Sequence, residues 1–150
     1  MTDIISLLSA KNCDLDNLAT KPVDKNDLHI LVIVSNFIYL IGGLILLTHN
    51  HCTIGIALII GWLISHIYHK DRTNTKLRIL DRLLSAICII YIIIIYYNKI
   101  CSSTQIIFLL ITVSCFIMSR RATITRDYNI YHSCWHILSG LFITQLILVH

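Results

Sequence analysis

The sequence predicts an all-α protein: a polytopic transmembrane helix bundle with about five spans and a cytoplasmic N-terminus. Three observations carry this reading. Of 150 residues, 56% are hydrophobic and only 13% charged, about half the charge of an ordinary soluble domain. The apolar residues gather into five blocks of membrane-crossing scale. The cationic side chains fall between those blocks, almost all on one side. With one Pro and five Gly, the chain is neither linker-rich nor low in complexity, and its apolar content excludes a disordered protein. Isoleucine supplies about a fifth of the residues, far above ordinary usage. That bias fits an AT-rich genome, a viral one among them, and carries no chemistry.

A span needs about 20 apolar residues to cross roughly 30 Å of hydrocarbon at 1.5 Å per residue. The first block runs from Leu28 to Thr48 and the second from Cys52 to His69. The third runs from Leu77 to Tyr97, the fourth, shorter, from Thr104 to Met118, and the fifth from Tyr128 to Val149. Runs such as Ile92 to Ile95 would favour strands in water. In lipid a lone strand leaves its backbone unsatisfied, so each block is helical. Residues 1–27 form a polar cytoplasmic segment in which Ile4, Ile5, Leu7 and Leu8 mark at most one interfacial turn. Its aspartates and its lack of a basic region before an apolar core argue against a cleavable signal peptide. Residues 28–150 make one helical bundle, with no internal repeat and no second domain.

Orientation follows the positive charge. With the N-terminus inside, the inner side holds Lys11, Lys21, Lys25, Lys70, Arg72, Lys76, Arg78, Arg82, Arg120, Arg121 and Arg126, and the outer side only Lys99. The net charge of +4 therefore reads as a topology signal. No basic stripe is interleaved with aromatics, so a nucleic-acid partner is not expected. The six cysteines are scattered without a CxxC pair, which gives no zinc-finger or disulfide framework. Cys52 and Cys101 both fall near the outer face and could pair if that face is lumenal.

Ionisable groups inside a membrane are costly, so each is a functional candidate. His69, Asp81, His132 and His136 stand out, and Ser65 joins them by spacing. His132 and His136 are four apart and share a helical face, as do Ser65 and His69. The topology then brings all five to one depth. The second span ends inside at His69, while the third and fifth begin inside, near Asp81 and His132. An HxxxH alone fits helix-to-helix hydrogen bonding or haem ligation as readily as metal. Joined to SxxxH and a carboxylate at one depth, it fits catalytic zinc: three neutral imidazoles and an open fourth position for water. Asp81 would move the water's proton and Ser65 would hydrogen-bond the water or a developing oxyanion.

These residues resemble the CREST superfamily of membrane hydrolases, which includes alkaline ceramidases, progestin and adipoQ receptors, Per-type proteins and myomaker-like proteins. The resemblance lies in Ser-His-Ile-Tyr-His from Ser65 to His69, Leu-Asp-Arg around Asp81, and the run from Tyr131 through His132, Trp135 and His136 to Gly140. It implies zinc held by His69, His132 and His136, with Ser65 and Asp81 as partners of the reacting water. It also implies hydrolysis of an amide or ester bond in a membrane lipid. The family has seven spans. In a chain of about five, the missing cavity walls point to a homo-oligomer. Ceramidases also carry an acidic calcium-binding segment before the first span. Asp14, Asp16, Asn17, Asp24 and Asp27 offer oxygens, but their spacing does not match, and they read as a solvated tail.

Other features have plainer readings. Thr48-His49-Asn50-His51-Cys52 looks like a metal tract but lies in the outer loop, where a solvated turn is the simpler account. His66 points about 100° from Ser65 and reads as an interface residue, a ligand only in reserve. Cys134 faces away from its neighbouring histidines and packs. Gly42-Gly43 permits close helix packing, and Tyr91, Tyr96 and Tyr97 suit the outer interface or the bundle interior. The expected function is thus a zinc-dependent lipid hydrolase in an endomembrane or host-cell membrane. Its rivals are a receptor-like, membrane-remodelling or viral membrane protein with a structural zinc or packed histidines, and a small pore.

Overall fold

The computed structural model describes residues 29–70, 74–96 and 103–149. The polar N-terminal segment with its aspartates, Arg72, Lys99 and Cys101, with which Cys52 could pair on a lumenal face, lie outside the described residues. Among those residues there are six helices and no strand: α1 His29–Ser35, α2 Phe37–Thr48, α3 Cys52–Lys70, α4 Thr75–Tyr96, α5 Ser103–Arg121 and α6 Thr125–Leu148. Four segments are long and apolar enough to cross a membrane: His29–Thr48, Cys52–Lys70, Lys76–Tyr96 and Thr104–Arg121. The isoleucine runs are helical, as expected from a solvent that cannot satisfy a lone strand. Most of the described isoleucines of the third block point outward, with Ile87 61% and Ile94 70% exposed, while Ile92 turns into the core at 4%. So much exposed apolar surface is untenable in water and natural in lipid. The chain is a membrane protein by this measure.

The expected fifth block is present as α6, 24 residues long. It is long enough to cross, but histidine, serine, asparagine and glutamine dilute its apolar content. Most of those residues turn inward, Gln145 alone among them being exposed. Tyr128, Asn129, Ser133, His136, Ser139 and Gly140 are all buried. α6 is the central helix, packed against α1, α2 and α5 and touching α4. On its other side α2 leads to α3, and α3 to α4, so the helices form an arc closed by α6.

α1 and α2 together make one apolar segment of membrane-crossing length, His29–Thr48. Asn36 separates them with its backbone still helical (φ −64°, ψ −23°); its N–H keeps the ordinary bond to Val32 at 3.3 Å, and the ladder tightens at the next step, where Tyr39 N–H donates to Asn36 at 3.2 Å. The Asn36 side-chain amide also donates to the Trp62 carbonyl of α3 at 3.1 Å, tying this junction to its neighbour. Further along, Gly43 meets Gly55. A Cβ on Gly43 would lie 2.8 Å from the Gly55 carbonyl oxygen, closer than packing allows. These glycines let two backbones touch, which is how helices associate where apolar burial gives no advantage over lipid.

The turn between α2 and α3 accounts for the apparent metal tract. Asn50 has φ 63°, in the left-handed region that Asn tolerates. His51 N–H donates to Leu46 and Asn50 N–H to Leu47, the paired bonds of a Schellman helix stop. His49 is exposed, and the tract serves to reverse the chain. At this end a compact apolar core forms from Leu46, Ile54, Leu58, Ile92, Tyr96, Phe142, Ile143, Leu146 and Ile147.

Candidate metal centre

The opposite end of the bundle is polar inside. α3 ends at Lys70, so His69 sits in its last turn. Asn74 caps α4, its side-chain oxygen accepting from Leu77 N–H at 3.1 Å, which places Asp81 two turns in. α6 starts with Asp127 in its first turn, where a carboxylate suits the helix dipole. His132 and His136 follow on one face.

The structure brings His69, His132 and His136 together. One donor nitrogen from each lies within 4.8 Å of the others, and this is the one such cluster among the described residues. Ring centroids are 5.1 Å apart for His69 and His132, 5.3 Å for His69 and His136, and 4.5 Å for His132 and His136. His69 is fully buried and His136 3% exposed; His132 is half-buried and opens the site to one side. The Nε2 atoms of His69 and His132 face each other at 3.4 Å. Two nitrogens so placed need a proton or a cation between them. Two ligands of a tetrahedral metal at about 2.0–2.1 Å lie about 3.3–3.4 Å apart, so the pair has the edge length of a tetrahedral metal site. Three neutral imidazoles suit zinc, copper, iron or nickel.

Ser65 is buried and its hydroxyl donates to the Asp81 carboxylate, joining α3 to α4. The expected set therefore assembles in two linked groups: three histidines, and a serine–aspartate pair one turn away along α3. Tyr39 bridges them. Its ring packs edge-on against His136 at 5.7 Å, and it lies within electrostatic reach of Asp81.

His66 is not part of the cluster. It packs against Trp62 of its own helix at 5.5 Å and edge-on against Phe37 of α2 at 5.4 Å. Cys134 is a free thiol beside Cys115 of α5, away from the histidines.

Several residues around the ligands escape the sequence reading. Tyr128 stacks on His132 with rings 17° from parallel, and Tyr68 packs against His69 at 4.9 Å. Ser35 Oγ lies 3.2 Å from His136 Nδ1. Tyr39 Oη meets Ser139 Oγ at 2.5 Å. The signal was present as spacing. Tyr128 is four before His132, Ser139 three after His136, and Ser35 four before Tyr39, so each pair shares a face. Comparison with known proteins finds no matching family model, no matching characterised protein and no matching solved structure.

Proposed function

We propose that the chain is a zinc-dependent intramembrane hydrolase that cleaves an amide or ester bond in a membrane lipid, a shortened relation of the CREST hydrolases. The observation that carries this is the convergence of three imidazoles from α3 and α6 beside a serine-bonded carboxylate from α4. In this reading α6 crosses the membrane inside the bundle, the N-terminus is cytoplasmic, and the histidine end lies at the cytoplasmic boundary. The cationic residues Lys70, Arg78, Arg82, Arg120, Arg121 and Arg126 cluster toward that end, as the positive-inside rule asks.

Zinc held by His69, His132 and His136 would supply a Lewis acid that makes water nucleophilic near neutral pH. The protein's residues do the rest. Asp81, charged and acceptor-only, takes the proton of the attacking water and returns it to the departing amine or alkoxide. Ser65 has a single proton and spends it on Asp81, so it orients the carboxylate. The half-buried His132 side admits the scissile group, and the outward isoleucines of α4 and α5 leave acyl chains in lipid.

Elemental analysis of detergent-purified protein tests this first. About one zinc per chain, lost in the His132→Ala/His136→Ala variant, is expected, followed by turnover in a screen of ceramides, phospholipids and glycolipids. Zinc without turnover of any lipid would favour a structural clamp between α3 and α6. Well-folded protein without zinc would overturn the metal centre.

A further inference from the structure

The junction of α1 and α2 lies against His136, and its hydrogen bonds can be followed proton by proton. Ser35 Oγ donates to the Val32 carbonyl at 3.1 Å. Its one proton is then used, so toward His136 Nδ1, 3.2 Å away, it can only accept. The His136 ring also hydrogen-bonds the Val32 carbonyl, and a carbonyl accepts only. The Ser35 contact thus requires Nδ1 to carry the proton, and the bond to Val32 is likewise one in which the ring donates. His136 is thereby set as the Nδ1–H tautomer, with its Nε2 lone pair turned away from α1.

A second chain of bonds fixes the turn of α6 that carries the ring. Ser139 Oγ donates to the Trp135 carbonyl at 2.5 Å, so at Tyr39 Oη, 2.5 Å away, the phenol is the donor. Tyr39 thus hangs from α6 one turn past His136, with its ring against the imidazole. Ser35 and Tyr39, four apart across the junction, grip the same histidine from its back.

We propose that the Val32–Tyr39 segment is the positioning shell of the metal centre, holding His136 in the one tautomer and orientation that present Nε2 to the site. This rests on the metal-centre reading above. Outer-shell partners of ligating histidines act in this way, and their loss costs about 10–100-fold in metal affinity.

The test uses the full chain in detergent. In metal-free protein, two-bond proton–nitrogen correlation spectra of the neutral imidazoles report the tautomer directly, and His136 is expected as Nδ1–H. Zinc affinity by chelator competition should fall about 10–100-fold in Ser35→Ala, recover in Ser35→Thr, and fall less in Tyr39→Phe. Ser114→Ala, whose hydroxyl bonds only its own helix on an exposed face of α5, should change neither readout. Wild-type zinc affinity in folded Ser35→Ala would overturn the proposal, as would an Nε2–H signal from His136 in the wild type. Absence of zinc binding by a wild type that shows the Nδ1–H signal would overturn the metal-centre reading and leave the tautomer assignment standing.

Discussion

The two ends of the bundle are built from the same helices and differ in almost everything else. At one end Leu46, Ile54, Leu58, Leu146 and Ile147 fill the interior, and the helices meet through glycine. At the other, Ser35, Asn36, Ser65, His69, Ser133, His136 and Ser139 are buried, and the helices meet through hydrogen bonds. α6 runs through both, with Leu146 and Ile147 in one and His132 and His136 in the other. The difference teaches that fold and chemistry are separated along the bundle axis rather than between domains. An apolar end can hold four helices in register while the polar end keeps costly groups close together. In lipid, where an unmatched polar group finds no water, such a concentration persists only if its members satisfy one another or a bound ion.

Substitutions at each end can break this division. His136→Ala has the largest expected effect. It removes a ligand, so zinc retention should fall by more than the roughly 100-fold that bounds loss of an outer-shell partner. Circular dichroism should show the helices intact; their loss would mean that the polar end also carries the fold. Asp81→Asn should keep one zinc per chain while lowering lipid turnover by about 10²–10⁴; unchanged turnover would remove Asp81 from the reaction. At the apolar end, Leu146→Ala should cost roughly 2–5 kcal/mol in a detergent unfolding titration and leave zinc stoichiometry of the folded fraction alone. Ile94→Ala, 70% exposed on α4, should stay within about 0.5 kcal/mol. The smallest core effect expected is Gly43→Ala, about 1–3 kcal/mol from overpacking against Gly55. A null result there would mean that α2 and α3 can part without loss.

The helical bundle was legible because lipid leaves the backbone few options, so length and apolar content sufficed. The histidine cluster was legible because i, i+4 spacing and alternating span direction bring His69, Asp81, His132 and His136 to one depth without knowledge of packing. Hydropathy served less well for α6. Its interior position is recorded in the polar residues that depress its average, whereas α4, almost wholly apolar past Arg82, sends only Ile92 and Tyr96 of its described side chains into the core. Ser35 and Tyr39 were beyond a sequence reading for another reason. Serine and tyrosine in an apolar span announce no chemistry of their own, and their role depends on which face of the first span meets α6. The His49–His51 tract shows the converse. Its residue types suggest a ligand set, while the left-handed Asn50 between them makes it a chain reversal.

The central place of α6 also bears on how the protein is made. Every helix it packs against precedes it in the chain, so its groove can exist before it leaves the ribosome. A segment with asparagine, serines and two histidines on one face partitions poorly into bare lipid, but into that groove it brings the partners its neighbours lack. Biogenesis would then finish with a docking step rather than a simple insertion. A chain halted before residue 125 would hold His69 with neither of its companions.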